Sequence, residues 1–123
     1  MSIQIEPISL FKSLSDNIRL SILLLLQAEE ELCVCEFSEA LDEIQPKISR
    51  NLALLKKVGL VVNRRQGQWI YYSINKQLPQ WATQVLLETY SGNREHIATP
   101  LAKLNKIGAN KDRPMILCKG SSK

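Results

Sequence analysis

The segment 44–74 changes its hydrophobic period abruptly, and this change constrains the fold more than any other feature of the chain. Its first part, "IQPKISRNLALLKKVGL", repeats apolar residues at helical spacing, with Pro46 suited to the first helical position and Gly59 just past the end. The part that follows, "LVVNRRQGQWIYYSI", has two runs rich in Val, Ile, Tyr and Trp around a polar stretch with Gly67. This pattern predicts a β-hairpin directly after a helix.

Most of the remaining chain has the pattern of helices. "PISLFKSLSDNIRLSILLLLQAEEE" predicts two of them, the second capped by Ser15 or Asp16, and "CVCEFSEALD" predicts a short helix before the one in segment 44–74. "PQWATQVLLETYS" predicts a further helix, and residues 94–107 are weakly helical, with Pro100 as an interruption. The expected fold class is therefore mainly α with a small β-hairpin, arranged as a winged helix-turn-helix.

Charge is distributed unevenly along the chain. Residues 1–45 contain two basic and nine acidic side chains, whereas residues 46–76 contain seven basic side chains and no acidic one. Such a block favours a polyanion-binding surface, although a basic face that is only solvated has the same charge. In a winged helix, the start of the second helix meets base edges and the hairpin meets phosphates. The predicted DNA contacts are Gln45, Lys47, Ser49, Arg50, Asn51, Lys57, Arg64, Arg65 and Gln68.

The sequence favours a cytoplasmic protein. Its longest apolar run, "ILLLL" at 22–26, is far too short to span a bilayer, and the N-terminus lacks a signal pattern. The chain has three cysteines, an odd number that argues against a disulfide framework. In a reducing compartment, such thiols bind metal, react or pack as small hydrophobes.

Cys33 and Cys35 are separated by one residue, within the predicted short helix. On a regular helix their side chains point about 200° apart, so one ion could bind both only if the first helical turn bends or unwinds. Thiolates select soft ions, and a helix N-terminus would lower the thiol pKa while Glu29–Glu31 and Glu36 would raise it. The pair could equally be two buried small hydrophobes.

The combination of "ELCVC", "QPKISR-LALL" and "RRQGQWIYY" resembles the arsenic-responsive repressors of the ArsR/SmtB family, from about Leu10 to about Leu86. The resemblance implies a homodimeric winged-helix repressor whose dimer contacts come from the first helix and the helix after the wing. It implies that the repressor binds the double-stranded operator of an arsenic-resistance operon and dissociates when As(III) or Sb(III) binds its thiolates. It also implies Cys33 and Cys35 as metal ligands, arsenite or antimonite as inducer, no required cofactor and no membrane partner.

Two positions depart from the family pattern. Arsenic sensors with this motif read C-V-C-D-L-C, whereas Ser38 stands here at the third cysteine position. A third ligand would have to be hydroxide, an external thiol or Cys118, because a serine hydroxyl is a poor ligand for a soft ion. Asn51 stands where the family often has His, which could alter operator preference.

We expect residues 1–107 to form one winged-helix domain for DNA binding and dimerisation, followed by a flexible C-terminal tail at 108–123. Two other functions remain open. A repressor of this fold could use the same cysteines to sense oxidation or another soft metal such as Cd(II). More distantly, the pair could serve a thiol–disulfide enzyme, but the usual C-x-x-C spacing in a βαβ context is absent. An enzyme is therefore not expected.

Overall fold

The order of helices and strands is that of a winged helix-turn-helix, as the sequence predicts. The structure, a computed structural model, describes residues 3–108 and 112–117. Its elements are α1 (Pro7–Leu14), α2 (Asn17–Glu29), β1 (Leu32–Cys33), α3 (Val34–Leu41), α4 (Gln45–Val58), β2 (Val61–Gln66), β3 (Trp69–Ile74), α5 (Gln80–Gly92), a 3₁₀ helix (Arg94–Ile97), α6 (Ala98–Ile107) and α7 (Arg113–Leu117). The expected fold class, mainly α with a small β-hairpin, is confirmed.

Helix α2 forms the centre of the hydrophobic core. Five consecutive residues in it, Ile22–Leu26, are buried, so the helix must be covered around its whole circumference. It packs against α1, α4 and α5, which contribute Leu10, Leu52 and Leu86 to the core. Although α2 is buried on all sides, no helix within residues 3–108 and 112–117 is long and apolar enough to cross a membrane.

The helix ends lie close to the predicted positions. Asp16, rather than Ser15, caps α2, because its carboxylate accepts a hydrogen bond from the backbone N–H of Arg19 at 3.0 Å. Helix α4 begins one residue before Pro46, so this proline occupies the second helical position, where the N–H has no intrahelical partner either. Gly59 ends α4 as predicted, with a φ of 102° in the left-handed region.

The sheet has three strands, one more than the predicted hairpin. Strands β2 and β3 form that hairpin, with Gly67 at its turn in the left-handed region at a φ of 62°. Strand β1 adds to the other edge of β3, where Leu32 pairs with Tyr72 and Cys33 with Tyr71. The first thiol therefore lies in the sheet that forms the wing.

The segment 94–107 is helical in two pieces, the 3₁₀ helix and α6. Pro100, expected as an interruption, lies in the first turn of α6. Its missing N–H removes no intrahelical hydrogen bond there, so the proline marks the beginning of a helix.

Helix α7 differs from the flexible tail expected after residue 107. It packs against α3 and α6, and the side chain of its first residue, Arg113, is 1% exposed. The guanidinium of Arg113 forms ion pairs with Glu29 and Glu36, which are distant in sequence and therefore invisible to local periodicity. The domain boundary at 107 stays a prediction.

Gly59 provides a test of the turn that joins α4 to the hairpin. A Cβ there would lie 3.2 Å from the Cδ1 atoms of Ile3 and Ile5, in a backbone conformation that disfavours side chains. We expect Gly59→Ala to lower the free energy of unfolding by about 1–2 kcal/mol, measured by urea titration at fixed protein concentration. The matched control is Gly92→Ala, which has open space and should raise stability by about 0.5–1 kcal/mol. Equal stability of the two variants would contradict this account of Gly59.

Candidate thiol site and DNA-binding surface

The thiol site consists of Cys33, a free thiol, and Cys35, whose Sγ atoms lie 3.2 Å apart. Cys35 is disulfide-bonded, contrary to the expectation from the odd number of cysteines. Both residues are buried, at 2% and 8% exposure. The prediction that these side chains point apart is wrong, because Cys33 is not part of the helix. It is the N-cap of α3, in extended conformation with φ −100° and ψ 170°, and the helix begins at Val34. Two sulfur atoms are therefore brought together without unwinding a helical turn.

The sulfur separation suits one small ion bound by both cysteines. With metal–sulfur bonds of about 2.3 Å, as in zinc thiolates, two sulfurs at this distance subtend about 90° at the ion. This angle is narrow for a tetrahedral ion, which prefers about 109°. It fits a trivalent pyramidal ion with a lone pair, whose bond angles are close to a right angle. Within residues 3–108 and 112–117, no three His, Cys, Asp or Glu side chains cluster as a metal site.

Glu36 holds the backbone of this site in place. One oxygen of its buried carboxylate, Oε1, accepts a hydrogen bond from the backbone N–H of Cys33 at 2.8 Å. This is the helix-capping arrangement in which a carboxylate three residues into the helix satisfies the N-cap N–H. The other oxygen, Oε2, accepts from Nε of Arg113 at 2.9 Å. Sequence reasoning treated Glu36 only as a nearby charge and missed its structural role.

The same surroundings determine the protonation of Cys33. Burial, followed by the negative charge of Glu36, raises the pKa of the Cys33 thiol from its ordinary value to about 12. The position at the start of α3 does not offset these two effects. Cys33 is thus a thiol at neutral pH, and its proton must leave when a metal–sulfur bond forms.

Ser38 stands where the arsenic sensors that this chain resembles have their third cysteine, but its role here is structural. Its hydroxyl donates a hydrogen bond to the backbone carbonyl of Glu43, across the turn between α3 and α4. The side chain therefore stabilises this turn. Cys118, the third cysteine of the chain, lies outside the described residues.

Two aromatic residues of β3 cover the thiol pair. Trp69 and Tyr71 pack against it together with Leu117 of α7. The same two aromatic residues line a cleft of about 510 Å³ between the hairpin and α7. A small solute in this cleft is therefore separated from the thiols by a single layer of side chains.

The predicted DNA contacts lie on the surface of α4 and the hairpin. The apolar stripe of α4 faces the core through Ile48, Leu52 and Leu55, which are fully buried. Asn51 is half-buried, and the other candidates are all exposed. These exposed candidates are Gln45, Lys47, Ser49, Arg50, Lys57, Arg64, Arg65 and Gln68.

Asn51 connects two helices within the domain. Its side-chain amide donates to the backbone carbonyl of Lys47 at 2.9 Å, and its oxygen accepts from Nη1 of Arg19 in α2 at 3.2 Å. To contact a base, Asn51 would have to give up these bonds. Arg50, the neighbouring candidate, is exposed and lies on the outward face of α4.

The two arginines of β2 have different surroundings. Arg64 forms two hydrogen bonds with the carboxylate of Glu31, at 2.6 and 2.8 Å, and lies over the ring of Tyr71 at 4.9 Å. Arg65 donates to the carbonyl of Gly67 and has no carboxylate partner within the described residues. Since Glu31 immediately precedes β1, the Arg64 ion pair connects the strand that carries Cys33 to the wing.

Known proteins share both the sequence and the fold of this chain. A family model described as "Bacterial regulatory protein, arsR family" matches residues 16–62. The chain is 42% identical to an arsenic resistance transcriptional regulator of Pseudomonas putida, over 93% of this chain and 99% of the relative. It is 45% identical to the arsenical resistance operon repressor of Escherichia coli, over 86% and 93%. Among solved structures, HlyU from Vibrio cholerae superposes with a TM-score of 0.63 at 28% identity, covering 71% of this chain and 90% of that one.

The surroundings of the arginines predict unequal effects on DNA binding. Arg65→Ala should weaken binding to every duplex and reduce the slope of log affinity against log salt by about 0.9, the loss of one phosphate contact. Arg64→Ala should reduce the slope less, because Glu31 already neutralises that guanidinium. Arg50→Ala should weaken specific binding by about 1–3 kcal/mol if Arg50 contacts a base.

Fluorescence anisotropy across a salt series, with operator and unrelated duplexes, would measure these effects. Lys106→Ala on the exposed side of α6 removes one positive charge away from α4 and the hairpin and is the control. If Arg50→Ala and Arg65→Ala both bind the operator like the wild type, α4 and the wing are not the DNA-binding surface.

Proposed function

The chain belongs to the arsR family of bacterial regulatory proteins, which are transcriptional regulators and not enzymes, and we propose that it represses an arsenic-resistance operon. In this proposal, the protein leaves its operator when As(III) or Sb(III) binds Cys33 and Cys35. The observation that carries it is the 3.2 Å separation of the two sulfur atoms at the junction of β1 and α3. The names of the relatives, which concern arsenic resistance, support arsenic as the inducer.

The binding reaction exchanges oxygen for sulfur on arsenic. Arsenite near neutral pH is As(OH)₃. Each cysteine forms one As–S bond while one As–O bond breaks, and the released hydroxide leaves with the thiol proton as water. Two cysteines therefore give a dithiolate with one remaining hydroxide and two water molecules. Cys35 is disulfide-bonded in the structure, so a thiol reductant must first return it to the thiol; the exchange on arsenic itself then changes no oxidation state.

Three connections transmit binding from the thiols to the DNA-binding surface. Cys33 of β1 pairs with Tyr71 of β3 in the sheet that forms the wing. Glu31, which immediately precedes β1, forms an ion pair with Arg64 of β2. Cys35 lies in the first turn of α3, which packs against α4. An ion bound to both sulfurs fixes α3 relative to the wing sheet, and through α3 it shifts α4 relative to the wing. A coupling free energy of about 1–3 kcal/mol is enough for a 5–150-fold change in operator affinity.

The protein acts as a homodimer in this proposal. Helices α1 and α5 expose large apolar side chains: Ile8 at 65%, Phe11 at 53%, Trp81 at 40% and Leu87 at 41%. Apolar surface of this kind on two helices that both pack against α2 is typical of a protein–protein interface. A twofold dimer reads an inverted repeat whose half-sites are about one helical turn, or a multiple of it, apart.

The sensing role of the pair predicts a specific loss in cysteine variants. Cys33→Ser and Cys35→Ser should each retain operator affinity and lose release by arsenite, because neither leaves two sulfurs for the ion. Titration of the protein–operator complex with As(III), Sb(III) and Cd(II), and with peroxide in a separate arm, would measure release by anisotropy. Ser38→Ala is the matched control and should release like the wild type.

The separate arms distinguish the rival inducers. Release of the operator by peroxide, with no comparable release by arsenite, would favour oxidation sensing. Release by Cd(II) alone would favour a cadmium sensor. Wild-type release by arsenite in either cysteine variant would show that the pair is not the sensor.

The proposed interface predicts a monomeric variant. Phe11→Glu places a charge in the apolar face of α1 and should shift sedimentation at micromolar concentration from dimer to monomer, with weaker operator binding. Ile70→Glu, also at an exposed apolar position but in the hairpin, should remain dimeric. A wild-type protein that sediments only as a monomer, with and without operator DNA, would contradict the proposed assembly.

A further inference from the structure

Arg19 joins three helices through its backbone and its side chain. It lies in the first turn of α2, where its backbone N–H donates to the carboxylate of Asp16 at 3.0 Å. Its guanidinium donates from Nη2 to the backbone carbonyl of Lys12 in α1 and from Nη1 to the side-chain oxygen of Asn51 in α4, each at 3.2 Å. Because both ends of this half-buried residue are held, the side chain spans from α1 to α4 in one defined conformation.

The hydrogen-bond partners of this guanidinium are neutral. Lys12 and Arg19 are the two basic residues among the first 45, which also contain nine acidic side chains. Within residues 3–108 and 112–117, however, the Arg19 guanidinium forms no ion pair. It lies against the last turn of α1, where the carbonyls form the negative end of the helix dipole and attract a cation. The side chain is therefore directed to the junction of α1 and α4, although carboxylates are abundant in its own segment.

Asn51 completes the connection on the side of α4. Its Oδ1 accepts from Arg19, and its Nδ2 donates to the carbonyl of Lys47 at 2.9 Å, so both polar ends of the amide have partners within the domain. Helix α4 meets the core through apolar side chains such as Ile48 and Leu52, and apolar packing is non-directional. A hydrogen bond requires a defined angle, so the contact between Arg19 and Asn51 restricts the orientation of α4.

We propose that Arg19 is a positioning residue that sets the orientation of α4 relative to the dimer axis, and thereby the spacing of the operator half-sites that the dimer accepts. The inference rests on the proposed function, in which α1 contributes to the dimer interface and α4 enters the DNA groove. Lys12, whose carbonyl receives Arg19, directly follows Phe11 of the proposed interface. The connection from the partner subunit to the DNA therefore runs from α1 through one guanidinium to α4.

Half-site spacing is sensitive to this orientation. One additional base pair moves the second half-site by about 3.4 Å along the duplex and rotates it by about 34°. A dimer whose two α4 helices are held at a fixed angle matches one spacing and is strained on the others. When the connection through Arg19 is lost, affinity for the matched spacing falls, while affinity for the mismatched spacings changes little. The ratio of these two affinities therefore reports on the role of Arg19.

The experiment measures this ratio with the full-length protein. The probe is an inverted-repeat duplex that the wild type selects from a random pool, with versions whose spacer is one base pair longer or shorter and one version with a single half-site. In fluorescence anisotropy, Arg19→Met should lower the preference for the selected spacing about tenfold, the effect expected from losing a hydrogen bond with a charged donor. Affinity for the single half-site should stay that of the wild type, because Arg19 does not contact DNA in this role.

Two further variants separate position from charge. Arg19→Lys retains the charge but donates from a single nitrogen, which cannot reproduce the planar fork between two acceptors, so it should lose part of the spacing preference. Lys106→Met removes one positive charge on the exposed side of α6 and should bind every duplex like the wild type. A wild-type spacing preference in Arg19→Met, or its full recovery in Arg19→Lys, would overturn the positioning role. So would an equal loss on every duplex with a smaller salt slope, which would mark Arg19 as a phosphate contact.

Asn51→Leu keeps the test decisive if Arg19→Met does not fold. This variant breaks the same hydrogen bond from the side of α4 with a side chain of similar shape, and it should lose the same spacing preference. An equal loss on all duplexes, including the single half-site, would instead mark Asn51 as a base contact and overturn the inference. A wild type that selects no inverted repeat contradicts the proposed function, whereas one whose spacing preference survives in both variants contradicts only this inference.

Discussion

The carboxylate of Glu36 is the interaction on which the site depends. It is fully buried, and it joins the N-cap of α3 to a guanidinium that lies 77 residues later in the chain. Burying two charges carries a large desolvation penalty, so such a pair adds little stability compared with an apolar pair of similar size. Removing one partner costs about 3–5 kcal/mol, because the other charge is left buried alone. The pair therefore fixes geometry more than it adds stability, and the geometry it fixes is that of the thiols.

Local periodicity was sufficient to predict helix α4 and the hairpin. The apolar stripe of α4, its glycine end and the two β-rich runs around Gly67 are signals that neighbouring residues produce by themselves. Strand β1 could not be predicted in this way, because two residues are too few to show a period. The predicted orientation of the Cys33 and Cys35 side chains was wrong because the helix start was placed one residue too early. Helix α3 begins at Val34, so Cys33 is an extended residue beside the helical Cys35.

The charge pattern predicted the basic surface but not the partners of individual side chains. The block without carboxylates corresponds to an exposed face on α4 and the hairpin. Asn51 is held by Arg19, and Arg64 is held by Glu31, across separations of 32 and 33 residues. Arg113 was assigned to a tail for the same reason. Polar pairs that are distant in sequence leave no mark in composition or spacing. Such pairs determine which exposed arginine is already bound to a carboxylate.

The position of the thiols also constrains how a sensor of this kind can work. Cys33 belongs to the wing sheet and Cys35 to α3, which packs against α4, so an ion bound by both cysteines, as proposed, would contact both halves of the winged helix-turn-helix. A site within a single helix would have to unwind that helix before any signal reached the DNA. Here the sulfurs are already adjacent, so the binding energy can act on the angle between sheet and helix. Because coupling between two binding sites is reciprocal, the proposed sensor requires that operator DNA weaken ion binding by the same factor by which the ion weakens operator binding.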